Sequence, residues 1–311
     1  MSVSADYLLD RRRLARQVTI WRAVAFALAA LAILALALRF EGFRGGVIGE
    51  HVAKLKISGL ITGDDRTVAA LRAIGKSRAR AVVLEIDSPG GTTEGSERLY
   101  DEIRRLAAKK PTVAVVGAVG ASGAYITAIA ADRIFVRQTS LIGSIGVLAQ
   151  YPNVSGLLDK LGVKYETIKS SPLKAVPNGL EPTSDAARAA IAAIIADSFA
   201  WFKGLVQERR GMSDDELARV DDGRVFTGRQ SLPLKLADAF GGEREAIDWL
   251  TANKGVPKNL PIRDYSPDEG FAGFTLKSLA AGAVEAMSGA AWGEGGSVDG
   301  LISVWRMTRG N

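Results

Sequence analysis

The residue types able to do chemistry gather in two glycine-rich segments. One is Asp87-Ser88-Pro89-Gly90-Gly91 and the other is Val119-Gly120-Ala121-Ser122-Gly123-Ala124-Tyr125. Each follows an apolar strand pattern and precedes a helix pattern. In open α/β sheets this is where ligands sit, beyond the carboxyl ends of the strands. Glycine allows tight turns there, and its bare amides can point at an anion. Phosphate is one such anion, although neither segment matches G-x-x-x-x-G-K-[ST] or G-x-G-x-x-G. The oxyanion of an acyl-transfer intermediate is the other. Ser122 opens a helix directly after a strand, the placement of a nucleophile on an elbow, but G-A-S-G departs from G-x-S-x-G. On spacing alone, Ser122 reads first as a helix N-cap among small packing residues.

A serine nucleophile needs a base. His51 is the one histidine in the chain, and it stands at the start of a strand, where an isolated imidazole is usually structural. The remaining option is a neutral lysine. Lysine titrates near 10.4 in water, so it must be desolvated or set beside another cation to lose its proton at neutral pH. Ser–Lys pairs are a known variant of the triad logic. Lys160, Lys164, Lys169 and Lys174 follow the serine segment, and composition does not choose among them.

The composition excludes other chemistries. With no cysteine among 311 residues, there are no disulfides, thiolate nucleophiles, Fe–S clusters or cysteine zinc sites. A single histidine excludes a site of several imidazoles. The 40 basic and 34 acidic residues give +6, but residues 1–44 alone hold seven arginines against three acids, or +4. The rest carries +2, no electrostatic footprint for nucleic acid. A hydrophobic share of 47% supplies a core and excludes global disorder.

The elements that must position these residues follow from periodicity. Val52–Ile61, Ala81–Asp87, Thr112–Val119, Arg133–Val136 and Tyr165–Lys169 read as strands. Thr67–Ser77, Thr93–Lys109, Ser122–Ala131 and Val154–Leu161 read as helices between them. Strands apolar on both faces and alternating with helices predict an α/β fold with a mostly parallel, helix-covered sheet. From Ser184 the pattern is helical: Ala186–Arg210, a capping box at Ser213–Glu216 opening a further helix, Thr227–Leu236 and Glu243–Asn253. Phe274–Trp292 reads as an amphipathic helix or as a tail that orders on a partner.

The N-terminus reads as a membrane anchor. Ala23–Leu38 has no charge over sixteen residues. With Val18–Arg22 the span is long enough as a helix, roughly 31 Å, to cross the hydrocarbon layer. Arg22 can snorkel and Trp21 suits the interface. Five arginines precede the apolar run, which keeps the N-terminus cytoplasmic and exports the bulk of the chain. Ala35-Leu36-Ala37 also resembles a signal-peptidase site, but the long apolar core favours an uncleaved anchor. The organisation expected is a cytoplasmic segment 1–17, an anchor 18–38, a linker 39–50, a catalytic domain 51–253 and a C-terminal extension 254–311.

From about Val52 to Leu250 the sequence resembles the signal peptide peptidase A family, membrane-bound bacterial serine peptidases. The resemblance rests on D-S-P-G-G (Asp87–Gly91), G-A-S-G-A-Y (Gly120–Tyr125), A-A-D-R-I-F (Ala130–Phe135), L-I-G-S-I-G-V (Leu141–Val147), Y-E-T-I-K-S (Tyr165–Ser170) and D-G-R-V-F-T-G-R-Q (Asp222–Gln230). It implies a ClpP/crotonase-like spiral of repeated β-β-α turns and the single-module short form. It implies Ser122 as nucleophile and, shortly after Y-E-T-I-K-S, Lys174 rather than Lys169 as general base. Ser144 would orient that lysine, and Gly91 and Gly123 would supply the oxyanion amides. Pro172 and Pro177 flank the base and stiffen its loop. No metal or nucleotide cofactor is implied. The expected partners are signal peptides or other apolar peptides, membrane lipid and further copies of the chain in a ring, at the bacterial inner membrane with the catalytic domain periplasmic. The alternatives are a stomatin-partner-type membrane serine peptidase, a crotonase-like acyl-CoA enzyme and a non-catalytic scaffold.

Overall fold

The computed structural model describes residues 20–22, 24–28, 31, 49–267 and 302–304. The chain divides into two units, Met1–Gly49 and Glu50–Asn311. In the first, the described residues between 20 and 31 are helical, and Ile20, Trp21, Phe26, Leu28 and Leu31 expose their side chains. The remainder of the expected anchor, and Phe274–Trp292, lie outside the described residues.

The second unit is built on a sheet whose central strands are β1 (His51–Ile61), β2 (Ala79–Thr92) and β3 (Thr112–Ala121), all parallel. β4 (Arg133–Val136) and β5 (Leu141–Gly143) both pair with β3, at successive stretches of it. β6 (Val225–Thr227) runs antiparallel to β5, β7 (Ala239–Phe240) parallel to β4, and β8 (Ile262–Asp264) parallel to β1. A last strand, β9 (Ile302–Val304), lies antiparallel to β2. The main path is β6-β5-β3-β2-β1-β8, so the sheet is mixed and mostly parallel.

The helices are α1 (Asp65–Lys76), α2 (Thr93–Ala107), α3 (Gly123–Ile129), α4 (Ser155–Lys160), α5 (Asp185–Arg210), α6 (Asp214–Leu217), α7 (Gly228–Ser231) and α8 (Glu243–Lys254). Side-chain caps fix where several begin. Asp64 accepts the amides of Arg66 and Thr67 before α1, Thr92 accepts that of Gly95 in α2, and Ser213 and Glu216 form the expected capping box before α6. Alternation along β2 serves both faces of the sheet. Val82, Leu84 and Ile86 join the main core with Leu71, Ile103, Ile126 and Phe202 from α1, α2, α3 and α5. Ala81 and Val83 meet Ala246 and Leu250 of α8 in a second core. Each fully buried side chain of this size contributes roughly 1.5–3 kcal/mol of transfer free energy.

Among the described residues α5 is the one helix long and apolar enough to cross a bilayer. Its second half is nevertheless committed to the domain. Phe202 and Val206 are buried in the main core, and Arg209 donates to the carbonyls of Ile129, the last residue of α3, and of Ala131 just past it. Arg104 of α2 donates to the neighbouring Ala130 carbonyl. Two arginines thus satisfy carbonyls that the end of α3 leaves open.

Two expected elements differ. Tyr165–Lys169 forms no strand, and nearly all of it is exposed. Its apolar residues have no face to bury, so alternation alone did not produce a ladder. Thr227–Leu236 forms only the single turn α7: Thr227 is taken by β6, and Pro233 interrupts the pattern two residues past the end of α7.

The two helices that precede and follow β2 in the chain are joined by a charged contact. Glu102 of α2 is mostly buried and accepts from Arg72 of α1 at 2.5 Å and from Arg105 at 2.9 Å. The bond from Arg72 holds the carboxyl of Glu102 below its ordinary value of 4.5. The stabilisation is therefore complete above that value and is lost as pH falls through the depressed one. The difference in urea midpoint between the native chain and Glu102→Gln should be constant near neutrality and close as pH is lowered from 5 toward 3. A gap that stays constant to pH 3 would dismiss the coupling.

Candidate active site

Ser88, Gly91, Ser122 and Ser144 all lie at or just past the carboxyl ends of adjacent strands. β2 and β3 pair in register to Ile86 opposite Val116, and after an irregularity Ser88 stands opposite Gly120; β3 and β5 pair to Ala121 opposite Gly143. One residue on, the amide of Ser122 donates to the carbonyl of Gly143 at 2.7 Å, and Ser144 follows that carbonyl in the chain. The amide of Ser144 in turn donates to the carbonyl of Arg224 at 2.8 Å. That contact explains the D-G-R-V-F-T-G-R-Q motif as framework: it forms β6 and pins β5. Asp222 holds Arg224 by an ion pair, and Gln230 closes a capping box on Thr227.

Ser122 occupies the N-cap position of α3, yet its side chain makes no capping hydrogen bond. Its backbone stands at φ 57°, ψ −120°, and the residue is 1% exposed. An ordinary N-cap serine is extended and bonds the second or third helical amide. The plain capping role expected from spacing is thus absent. What stands there is a strained strand-to-helix turn of the kind that presents a nucleophile. Strain of this kind costs about 1–3 kcal/mol and persists only where the surroundings enforce it. Here they do. Tyr125 is fully buried and donates to the carbonyl of Leu236 at 3.0 Å, and burial pushes its phenol well above the ordinary range. Thr127 donates back to the carbonyl of Gly123.

Four non-glycine residues among those described have positive φ: Ser122, Ser144, Ala175 and Lys235. Two are nominated site residues, and a third adjoins Lys174. No sequence pattern signals this strain.

Gly91 is required by close approach. A Cβ there would stand 1.7 Å from the carbonyl oxygen of Ile61, its neighbour across the β1–β2 ladder. The turn before it is locked by Ser88, which is buried and donates to the carbonyl of Gly59 at 2.6 Å while accepting the amide of Gly90 at 3.1 Å. Asp87 reaches the other way and accepts the amide of Val119 at 3.0 Å. The D-S-P-G-G segment therefore ties the end of β2 to both neighbouring strands. Sequence reasoning treated Asp87 and Ser88 only as part of a motif, and their buried or cross-strand bonds are visible only in the fold. Gly123 is the first residue of α3, and its amide is one of the four that a helix leaves without an intrahelical partner.

Lys174, unlike this buried group, is exposed. It lies on a turn closed by its amide donating to the carbonyl of Ser171 at 3.1 Å. Lys169 is committed elsewhere, in an ion pair with Glu181, to which Asn178 also donates. His51 is buried, and its Nε2 lies 2.9 Å from the hydroxyl of Tyr265, next to β8. That is the structural use expected of it. Among the described residues no group of three or more histidine, aspartate and glutamate side chains could hold a metal ion.

The chain thus brings Gly91, Ser122, Gly123 and Ser144 to the ends of three adjacent strands and leaves Lys174 at the surface. Residues 104–257 match the model of Peptidase family S49. A candidate protease of Synechocystis sp. is 31% identical over 209 residues, 67% of this chain and 76% of that one. A candidate signal peptide peptidase SppA of Enterococcus faecium is 28% identical over 249 residues, 75% of this chain and 72% of the relative. Among solved structures, a membrane-bound stomatin-specific protease aligns at 17% identity and TM-score 0.48, covering 70% of this chain and 99% of that one. The chain belongs to peptidase family S49, to which the signal peptide peptidase A motifs read in its sequence had pointed.

Proposed function

We propose that the chain is a membrane-anchored serine endopeptidase that uses a Ser122/Lys174 dyad on apolar peptides, remnant signal peptides first among them. The observation that carries this reading is Ser122 itself: a buried serine held at φ 57° between β3 and α3, with no capping bond. Its Oγ attacks the peptide carbonyl carbon while its proton passes to the amine of Lys174. The amides of Gly91 and Gly123 hold the developing oxyanion, at roughly 3 kcal/mol per donor. The C–N bond then breaks and the proton goes to the leaving amine. Water then attacks the acyl-enzyme, giving a proton to the same lysine; the bond from the acyl carbon to Ser122 Oγ breaks, the lysine returns that proton to Oγ, and the acid is released. Ser144 orients Lys174.

A general-base amine must be out of water to be neutral near pH 7. Lys174 is exposed on the isolated chain, so the bound peptide, a neighbouring copy or both have to cover it, and the second is in keeping with the ring that the sequence resemblance implies. Residues 18–38 form the anchor, with residues 1–17 cytoplasmic and 51–253 exported. The exposed apolar side chains of the described helical residues there support this. It puts the site beside substrates that are held in the bilayer.

A serine-directed acylating probe should label the native chain once, on the peptide carrying Ser122, and should not label Ser122→Ala. Labelling at another serine, or equal labelling of both proteins, would reject this nucleophile.

A further inference from the structure

Tyr125 lies one turn past Ser122, and its amide donates to the carbonyl of Ser122 at 2.8 Å. Its hydroxyl reaches away from α3 to the carbonyl of Leu236. The direction in which α3 leaves Ser122 therefore depends on where that carbonyl stands. Leu236 is itself fully buried, and one side chain holds the segment on both sides of it. Arg210, the last residue of α5, donates through Nε to the carbonyl of Lys235 at 2.5 Å. Through Nη2 and Nη1 it donates to the two carboxylate oxygens of Asp238, at 2.7 and 3.2 Å. Asp238 in turn accepts the amide of Ile134 in β4 at 2.7 Å and donates its own amide to the carbonyl of Ile134 at 3.0 Å. A single guanidinium thus fixes residues 235 and 238, and a carbonyl between them receives Tyr125.

Stability alone explains little of this arrangement. Phenylalanine would fill the place of Tyr125 with no hydroxyl to satisfy, and exchanging a buried hydrogen-bonded pair for apolar groups of the same shape is often close to neutral. A largely buried ion pair likewise adds little net stability over apolar side chains of similar volume. What both supply is direction, since the planar fork of arginine matches a carboxylate in one geometry. Direction matters at a nucleophile, where a misplacement of about 1 Å can cost on the order of 10^2-fold in rate.

We infer that Arg210 and Asp238 are positioning residues for Ser122, acting through the carbonyl of Leu236 and the hydroxyl of Tyr125. This rests on the peptidase reading for the reaction, but not for the link itself, which has its own readout.

The test compares the native full-length chain with Tyr125→Phe, Arg210→Lys and the double variant, each assayed well below its melting temperature. Asp238→Asn, which keeps one acceptor oxygen, replaces Arg210→Lys if lysine disturbs folding. Three readouts are taken: kcat and KM for a fluorogenic apolar peptide, the rate at which a serine-directed acylating probe labels Ser122, and amide exchange across Ser122–Ile126. Each single variant should lower kcat and the labelling rate by about 10- to 100-fold with KM unchanged, and should speed exchange. The double variant should be no slower than the slower single one, because both substitutions cut the same chain of bonds. A kcat and labelling rate that match the native chain in Tyr125→Phe would overturn the inference, as would losses that multiply in the double variant. If the native chain neither cleaves peptide nor takes the probe, the peptidase reading falls and exchange alone tests the link. Faster exchange in both single variants then keeps it, and unchanged exchange in either overturns it.

Discussion

Ser122→Ala should reduce peptide cleavage by about 10^4-fold or more, the scale on which removing a serine nucleophile acts in other peptidases. Folding should be retained, because the lost hydroxyl makes no capping bond to α3. The strain at this position provides a second, opposite measurement. Backbone at φ 57°, ψ −120° is accessible to glycine and costly for any residue with a Cβ. Ser122→Gly should therefore be equally inactive yet more stable than Ser122→Ala by roughly 1–3 kcal/mol, read as a higher urea midpoint. The pair separates two causes that a single substitution confounds. If alanine and glycine are equally stable, the turn is unstrained and the geometric case for the nucleophile is lost. If Ser122→Ala keeps its cleavage rate, the chemical case is lost.

The sequence revealed the long elements and little of the short ones. β1, β2 and β3 and the helices α1, α2, α5 and α8 are long enough for periodicity to speak, because each buries one stripe or both faces in a core. β5, β6, β7, β8 and β9 have two to three residues each. They exist because a neighbouring strand edge is open, which is a tertiary fact. The false strand at Tyr165–Lys169 is the converse, an alternating pattern with no sheet edge to receive it. At the site, glycine-rich strand ends marked where to look, but the roles of Gly91, Gly123 and Ser144 came from the family resemblance. The positive φ at Ser122 and Ser144 had no local signal, since neither is a residue type that favours it. Nor did anything in the local pattern separate four lysines. The structure adds one physical distinction among them: Lys169 is already paired with Glu181, whereas Lys174 is exposed.

That distinction sets the second large effect. Lys174→Ala should lower cleavage by about 10^2- to 10^4-fold, the contribution typical of a positioned general base. Thermal stability should be nearly unchanged, because surface substitutions usually fall within about 0.5 kcal/mol. Lys169→Ala should do the reverse, loosening the segment that Glu181 and Asn178 hold while leaving most of the rate. An exposed lysine can serve as the proposed base only if something other than its own chain desolvates it, and a mixing experiment identifies what does. Chains carrying only Ser122→Ala and chains carrying only Lys174→Ala are each inactive alone. Co-assembled, they should regain measurable cleavage if Lys174 of one copy reaches Ser122 of the next, because some interfaces then contain both intact groups. Full activity in Lys174→Ala would remove this lysine from the mechanism. An inactive Lys174→Ala that no mixture rescues would keep the base and place its desolvation within one chain, with the bound peptide as the cover.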